Sequence, residues 1–193
     1  MLQKGVKSRT RGGRVAVDRA LFIGRFQPFH YGHLRALKWI TGREREVVVA
    51  VGSAQYSHSF RNPFTVGERI EMIAAVLKEE GLWDKVIVAA VPDTDGKHSL
   101  WVRLVVSSCP RFERVYTNEP LTRLLFEEEG FEVLGIPFFG REVFEGTKIR
   151  LIMAEGGDWR SLVPPAVARV IDSIRGVERV ARLYALERGA SLR

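Results

Sequence analysis

Five short apolar runs alternate along this chain with amphipathic stretches, and this alternation constrains the fold more than any other feature. The run 46–51 reads E-V-V-V-A-V without interruption, as expected of a strand covered on both faces. The other strands are expected at 20–23, 86–91, 114–117 and 131–134. Strands separated by helical stretches of about ten to fifteen residues predict an α/β fold with a doubly wound parallel sheet. In such a sheet, ligands bind at the carboxyl ends of the strands, where the strand order reverses.

The helix after the second strand has the plainest start signal. Thr65 and Glu68 form a T-x-x-E capping box, in which each side chain accepts the other residue's backbone N–H. Gly81 ends this helix. Its apolar side is predicted to carry Ile70, Ile73, Ala74 and Leu77. The other helices are expected at 34–40, 100–106, 120–128 and 166–174, the last within a C-terminal helical segment, about 158–186, that caps the sheet.

The turn between the first strand and the first helix concentrates groups that suit an anion. It reads G-R-F-Q-P-F-H-Y-G-H from Gly24 to His33. His30 and His33 stand at the expected helix start, where unpaired backbone N–H groups attract phosphate. Gly24 and Gly32 would let a ligand approach the backbone closely. The alternative is that the histidines only cap the helix. Two of the chain's four histidines, with an arginine and a glutamine, within ten residues favour a nucleotide-phosphate site.

Two other expected strand ends carry further candidate binding residues. The loop 52–65 begins with small residues, including Ser53, and contains Arg61, whose guanidinium suits bidentate phosphate contact. A generic surface loop is the alternative, although loops of this length are usually functional or mobile. Trp101 follows the third strand, where it either belongs to the core or stacks on a ligand ring. Asn118, directly after the fourth strand, is also a candidate.

A third phosphate-binding candidate begins at Gly146. Gly146 and Thr147 open an expected helix whose free N–H groups and hydroxyl can hold a phosphate. Arg150 lies one turn further on, on the same face of this helix. These residue types again predict contact with an anion.

Composition excludes several classes of protein. The 193 residues, 46% of them hydrophobic, are enough for one globular domain, expected at 20–193, with a sizeable core. No run of eighteen apolar residues is present and the N-terminus does not read as a signal peptide, so we expect a cytoplasmic protein without a membrane span. The single cysteine, Cys109, excludes an internal disulfide and is expected to act as a small buried hydrophobe. Few Asn and Gln beside abundant Arg and Glu are typical of a thermophile.

The net charge of +7 is confined to the two ends of the chain. Residues 1–19 carry +5 and residues 175–193 carry +3, which leaves −1 for residues 20–174. A basic protein can bind nucleic acid, but the central part has no basic stripe, so no nucleic-acid partner is expected. The segment 1–19 is expected to be a basic extension outside the domain, solvated, disordered or in contact with another subunit.

These motifs resemble those of the nucleotidyltransferase superfamily. The stretch Gly24–His33 contains its H-x-G-H signature, related to the H-I-G-H motif of class I aminoacyl-tRNA synthetases, and in full is similar to the archaeal nicotinamide-nucleotide adenylyltransferases. The segment 52–65 matches that family almost residue for residue. Gly146–Arg150 resembles its second signature, S-G-T-x-[IV]-R, except that Glu145 stands where the family has Ser and adds a negative charge. The resemblance covers about residues 21–183.

The resemblance implies adenylyl transfer from ATP to nicotinamide mononucleotide, giving NAD and pyrophosphate by direct in-line attack on the α-phosphate. The residues implied to act on the phosphates are His30, His33, Arg25 and Arg150. The residues implied to contact substrate are Gly24, Phe26, Gln27, Gly32, Ser53, Arg61, Trp101, Asn118, Gly146 and Thr147, with Trp101 stacking on the pyridine ring. Mg²⁺ is expected to arrive with ATP without dedicated protein ligands, and a homo-oligomer, a hexamer by resemblance, is expected.

Other functions stay open at this point. A related enzyme could adenylylate flavin mononucleotide or phosphopantetheine, and a nucleotide-binding regulator could have lost catalysis. The intact histidines and Arg150 argue against a regulator. A synthetase is excluded because the chain has no room for an anticodon-binding domain and no K-M-S-K-S-like run.

Overall fold

Five parallel strands form one sheet in the computed structural model, which describes residues 18–137, 139–140 and 143–189. The strands are β1 Arg19–Gly24, β2 Glu46–Val51, β3 Val86–Ala90, β4 Arg114–Tyr116 and β5 Glu132–Leu134. Their order in the sheet is β3-β2-β1-β4-β5, and all four neighbouring pairs are parallel. The chain therefore builds one side of the sheet from β1 to β3 and then crosses to β4 on the other side of β1. The predicted doubly wound parallel sheet is confirmed, with its switch point between β1 and β4.

Seven helices of the described residues surround this sheet. They are α1 Tyr31–Thr41, α2 Val66–Glu79, α3 His98–Ser108, α4 Pro120–Glu128, α5 Gly146–Ala154, α6 Pro165–Ser173 and α7 Gly176–Glu187. The capping box predicted for α2 is present: the Glu68 N–H donates to Thr65 Oγ1 over 3.2 Å, and the Thr65 N–H donates to the Glu68 carboxylate over 2.8 Å. The predicted C-terminal helical segment contains two helices, α6 and α7, which a left-handed residue, Arg175 (φ 51°), separates.

The core lies on both faces of the sheet. Alternate residues of β2 point to opposite sides: Val47, Val49 and Val51 join the larger core, while Val48 and Ala50 join the smaller one. All five are fully buried, which confirms a strand covered on both faces.

The smaller core packs under α3 and α4, and the partly buried Cys109 packs against it. Burial raises the pKa of the Cys109 thiol to about 11, so the half-buried thiol is neutral and behaves as the small hydrophobe that the sequence predicted.

The buried face of α2 is centred about one position away from the predicted apolar side. Ile73 and Leu77 are buried as expected, but Ile70 and Ala74 are only partly buried. Arg69 takes a fully buried position instead, together with Met72 and Val76. A buried arginine replaces an apolar residue there because its guanidinium serves backbone carbonyls at the ends of two strands, as described below.

Most of the predicted basic extension falls outside the described residues. Residues 1–17 are among those not described, and the sheet begins at Arg19, whose guanidinium pairs with Glu46 at the start of β2. Of the helices that the described ranges contain, none combines the length and the apolar character needed to cross a bilayer.

Candidate active site

Two cavities open at the carboxyl edge of the sheet, beside the switch point. Cleft A has a volume of about 320 Å³ and is lined by His30, Gly32, His33, Asn118, Phe144, Glu145 and Gly146, among others. Cleft B, also of about 320 Å³, is lined by Arg25, Ser53, Asp93, His98 and Trp101, among others. The two share Ile23, Gly24, Thr117 and Glu119 in their linings, so they meet at the end of β1. Each is large enough for part of a nucleotide, and together they form a two-compartment site.

His30 and His33 cap helix α1 reciprocally. The backbone N–H of His33 donates to Nδ1 of His30, and the backbone N–H of His30 donates to Nδ1 of His33, both over 3.3 Å. The two rings stack with their centroids 3.5 Å apart, and both line cleft A. The two histidines therefore cap the helix and also line the cleft, and their contact with a ligand stays a prediction.

This capping fixes where each ring carries its proton. Because Nδ1 accepts a hydrogen bond, the neutral ring holds its proton on Nε2. Burial lowers the pKa of His30 to about 4. Burial, together with the neighbouring His30, lowers the pKa of His33 well below its usual 6.5. Both rings are thus neutral at pH 7, and each keeps an Nε2–H donor that the helix cap does not use.

Aromatic side chains support the histidine pair. The rings of Phe26 and Phe29 lie 4.8 and 5.5 Å from that of His33, centroid to centroid, and both side chains are buried. A Cβ atom on Gly32 would lie 2.9 Å from Cβ of Phe144 and 3.1 Å from the His30 ring. Gly32 therefore makes room for protein side chains around the pair, and its direct contact with a ligand stays a prediction. Phe26 as a whole is only 1% exposed, and its contact with substrate stays a prediction.

Two arginines at the site, Arg25 and Arg150, have pKa values lowered by burial and by neighbouring arginines. Burial, and then Arg61, lower the pKa of Arg25. Burial, and then Arg25 and Arg61, lower that of Arg150 to about 10. Within the described part of the chain, Nη1 of Arg25 and Nε of Arg150 are buried without a hydrogen-bond partner. Closely spaced cations with buried N–H groups that have no acceptor are typical of a site that binds an anion.

The orientation of Arg150 is fixed by neighbouring oxygens. Its guanidinium donates to the Gln27 carbonyl over 2.8 Å and to Thr147 Oγ1 over 3.2 Å. Arg150 is only 3% exposed, whereas Thr147 is exposed at the start of α5. The predicted phosphate motif at Gly146–Arg150 thereby packs against the histidine turn, although 123 residues separate Gln27 from Arg150.

The Gln27 amide joins the histidine turn to the loop 52–65. Its Nε2 donates to the Phe64 carbonyl over 2.9 Å, and its Oε1 accepts the Phe64 N–H over 3.0 Å. Both polar groups of the side chain are thus used inside the protein. Gln27 was predicted to contact substrate, but its side chain holds two site loops together instead.

Arg69 is a site-supporting residue that the sequence analysis missed. Its guanidinium donates to the carbonyls of Arg25 and Gly52, both over 2.8 Å, and to that of Ser53 over 3.2 Å. Arg69 therefore connects the turn after β1 to the loop after β2. The one signal in the sequence was a charged residue next to the apolar face of α2, and an exposed position was the simpler interpretation.

Helix α7 holds the loop that carries Arg61. Arg179 donates to the Pro63 carbonyl of this loop over 3.3 Å and also pairs with Glu68 on α2, and Glu187 accepts the backbone N–H of Phe60 over 2.8 Å. No chemistry was predicted for this C-terminal segment. Its contribution is positional, because it fixes the residue directly before Arg61.

Helix α5 begins at the edge of cleft A. A Cβ atom on Gly146 would lie 3.2 Å from the Gln27 carbonyl oxygen, so the helix start packs tightly there. Glu145 is the N-cap residue, but its side chain makes no capping hydrogen bond, and its carboxylate lies 3.7 Å from Nζ of Lys148. The Glu145 side chain therefore leaves the first N–H groups of α5 for another acceptor, as a phosphate site requires.

Cleft B is bounded by one aromatic ring and a small polar network. Trp101 is partly buried, and its ring packs edge-on against Phe126 with the centroids 5.7 Å apart. It therefore belongs to the smaller core and also lines the cleft. Ser53 Oγ donates to an Asp93 carboxylate oxygen over 3.3 Å, which joins the loops after β2 and β3.

Asn118 and Glu119 lie just after β4, and both line cleft A. The Asn118 amide is engaged with the backbone of Ile136, donating over 2.6 Å and accepting over 2.9 Å, so this side chain organises the wall of cleft A. Glu119 lines both clefts and caps α4, accepting the N–H of Thr122. Glu119 was not among the residues predicted to act in the site. Its place directly before Pro120, at a strand end, was the available signal.

Among the described residues, no group of three or more His, Cys, Asp or Glu side chains is arranged to hold a metal ion.

Comparison with known proteins decides the family. Residues 21–152 match the cytidylyltransferase-like family. The chain is 50% identical over 165 residues to the nicotinamide-nucleotide adenylyltransferase of Methanothrix thermoacetophila. The aligned residues cover 86% of this chain and 95% of that protein. It is 45% identical over 168 residues to the protein of the same name from Pyrococcus furiosus, covering 86% of this chain and 89% of that one. The chain belongs to the nicotinamide-nucleotide adenylyltransferase family. The predicted enzyme class, a nucleotidyltransferase, is confirmed, and a thermophile's composition fits these archaeal relatives.

A more distant solved structure shares the fold. It is a bifunctional NMN adenylyltransferase/ADP ribose pyrophosphatase from Francisella tularensis, in complex with AMP and a manganese ion. The TM-score is 0.71 at 21% identity, and the match covers 88% of this chain and 54% of the bifunctional protein. This chain therefore spans about half the length of that protein.

Proposed function

We propose that this enzyme transfers the adenylyl group of ATP to nicotinamide mononucleotide, forming NAD and pyrophosphate. The observation that carries the proposal is the meeting of clefts A and B at Gly24, with the histidine pair on one side and Trp101 on the other. Cleft A takes ATP and cleft B takes the pyridine nucleotide, so that the two phosphate groups meet between them.

The reaction needs positioning and charge stabilisation more than proton transfer. A phosphate oxygen of the mononucleotide attacks the α-phosphorus of ATP, and the bond from that phosphorus to the bridging oxygen breaks, so that its electron pair leaves with pyrophosphate. The attacking phosphate is already ionised at neutral pH, so no general base is required. Holding the two groups in line replaces a bimolecular encounter with a step inside one complex.

The histidine pair supplies neutral donors to the phosphates. Because Nδ1 of each ring is used by the helix cap, His30 and His33 can donate only through Nε2–H, to oxygens whose charge grows in the transition state. Arg25, Arg61 and Arg150 neutralise the triphosphate, and the N-terminus of α5 adds backbone donors. Mg²⁺ bound to the triphosphate would supply further neutralisation, and we assign it no protein ligand.

Trp101 selects the acceptor by stacking on the pyridine ring. Its place in the lining of cleft B, with one edge held by Phe126, gives a fixed aromatic surface. We further propose that residues 20–193 act as one nucleotidyltransferase domain with a basic extension before it, and that the enzyme is a cytoplasmic homo-oligomer, a hexamer by family resemblance.

The test is a panel of acceptors. The enzyme, ATP and Mg²⁺ are incubated with nicotinamide mononucleotide, flavin mononucleotide or phosphopantetheine, and pyrophosphate release is followed together with the adenylylated product. We expect NAD from the first acceptor and no product from the other two. Turnover with another acceptor alone would reject the assignment of cleft B, and ATP binding without any turnover would favour a non-catalytic regulator.

A further inference from the structure

Two residues beside the clefts have left-handed backbone conformations although both carry side chains. Phe26, in the turn after β1, has a φ of 51°, and Ser53, in the loop after β2, has a φ of 49°. Glycine adopts this region freely, whereas the Cβ atom of any other residue comes too close to the following carbonyl oxygen. Such conformations persist only where the surrounding structure enforces them. An interaction elsewhere in the protein must therefore hold the two residues in place.

The guanidinium of Arg69 contacts the peptide groups next to both residues. Its Nη1 donates over 2.8 Å to the Arg25 carbonyl, which directly precedes Phe26. The same nitrogen donates over 2.8 Å to the Gly52 carbonyl, which directly precedes Ser53, and Nη2 donates over 3.2 Å to the carbonyl of Ser53 itself. One side chain thus holds a peptide group at the first left-handed residue and a peptide group on each side of the second.

Burial fixes the position of this guanidinium. Arg69 is fully buried, and its Nε donates to the Thr65 carbonyl at the start of α2 over 3.3 Å, so all three nitrogens donate hydrogen bonds. Burial, and then the neighbouring Arg25, lower the pKa of Arg69 to about 10, so the group is still charged at pH 7. Hydrogen bonds from a charged donor are the stronger kind, and a buried cation without acceptors is costly. Both loops are therefore held at a fixed distance from α2.

Each left-handed residue determines where groups of the site point. Arg25, directly before Phe26, lines cleft B, and the Phe26 ring packs against the ring of His33 in cleft A. Ser53 lines cleft B, and its hydroxyl donates to Asp93. A change of backbone conformation at either residue would redirect these groups and shift the walls of the two clefts relative to each other.

We infer that Arg69 is a positioning residue for adenylyl transfer, which holds Phe26 and Ser53 in their left-handed conformations and so keeps the two clefts aligned. The inference rests on the proposed function, in which the phosphates of the two substrates meet between the clefts. In-line attack is sensitive to a displacement of about 1 Å, whereas each substrate is bound mainly within one cleft. Loss of Arg69 therefore slows the transfer more than it weakens the binding of either substrate.

The experiment measures kcat and both KM values in Arg69→Lys, which keeps the charge but cannot donate to three carbonyls in the same planar geometry. Arg69→Gln is a second variant, so that the comparison does not depend on the folding of one protein. Met72→Ala is the matched control, because Met72 is fully buried on the same helix and packs in the larger core. Its truncation destabilises the protein without touching the strand-end carbonyls. Thermal unfolding identifies a temperature at which every variant is folded, and the kinetics are measured there.

Two substitutions of Ser53 in the Arg69→Lys background test the role of the backbone conformation. Ser53→Gly and Ser53→Ala both remove the hydroxyl that donates to Asp93. Only glycine adopts a φ of 49° without a steric cost. The glycine double variant should therefore recover activity that the alanine double variant does not.

We expect kcat to fall on the order of a hundredfold in Arg69→Lys and Arg69→Gln, while both KM values stay within a few-fold of the wild type. Met72→Ala should keep kcat within about twofold of the wild type. In Arg69→Lys, Ser53→Gly should restore kcat on the order of tenfold relative to Ser53→Ala.

Three results would overturn the inference while NAD synthesis stands. They are a kcat close to the wild-type value in both Arg69 variants, a loss that Met72→Ala reproduces, and equal activity of the two double variants. Failure of the wild type to form NAD would instead refute the proposed function.

Discussion

Replacing His30 with asparagine should flatten the dependence of the free energy of unfolding on pH. In the folded protein, burial lowers the pKa of His30 from 6.5 to about 4. The stability associated with the neutral ring is therefore fully present above pH 6.5 and is lost as the pH falls towards 4. Between pH 7.5 and pH 5 the unfolded chain takes up a proton at this position that the folded chain does not. This difference lowers the free energy of unfolding by about 2 kcal/mol.

Urea unfolding at pH 7.5 and at pH 5 measures this effect. His30→Asn suits the test because asparagine caps helices well and does not titrate. The wild type should lose about 2 kcal/mol more than the variant between the two pH values. His58→Asn is the control: His58 is exposed on the loop 52–65 and caps no helix, so this variant should follow the wild-type curve. If His30→Asn loses as much stability as the wild type, the neutral, buried histidine cap is refuted.

Three substitutions test the separate parts of the site by steady-state kinetics and thermal unfolding. Trp101→Ala should raise KM for nicotinamide mononucleotide about tenfold, since stacking on an aromatic side chain is worth about 1–3 kcal/mol per base. The KM for ATP should stay within about twofold of the wild-type value. An equal rise in both KM values would contradict ring stacking. Arg150→Lys keeps the charge but cannot hold two acceptors in the same planar geometry, so kcat should fall on the order of a hundredfold, and an unchanged kcat would remove Arg150 from the phosphate site. Arg179→Met should lower kcat/KM about tenfold by releasing the loop that carries Arg61. Arg169→Met is the control: it breaks an ion pair between α6 and α2 and should leave kcat/KM unchanged. Equal losses in these last two variants would indicate general destabilisation.

The sheet could be predicted from local patterns because its signals are local. An uninterrupted apolar run marks a strand buried on both faces, and a capping box marks a helix start within a residue or two. The strand predicted at 20–23 runs from Arg19 to Gly24, and the helix predicted at 100–106 runs from His98 to Ser108. The alternation of strands and helices predicted the parallel sheet, whereas the position of its switch point comes from the observed strand order.

The supporting contacts could not be predicted because their partners are distant in the sequence. Gln27 bonds to Phe64 across 37 residues, and Arg179 pairs with Glu68 across 111. Nothing in the pattern around either residue indicates its partner. Arg69 shows the same limit: a helical period identifies which face of α2 is apolar, but not that strand-end carbonyls need a buried donor. Sequence motifs therefore located several of the residues that line the clefts, among them His30, His33 and Trp101, and missed those that hold the clefts in shape.

The most direct test of the central claim, that the histidine pair stabilises the phosphates during adenylyl transfer, is the single-turnover rate of NAD formation in a His33→Ala variant. ATP binding is measured on the same protein, and thermal unfolding confirms that it is folded. The rate should fall on the order of a hundredfold or more, the size expected when one transition-state donor is removed, while the Kd for ATP changes only severalfold. A rate within a few-fold of the wild type, or a loss that weaker ATP binding fully explains, would contradict the account.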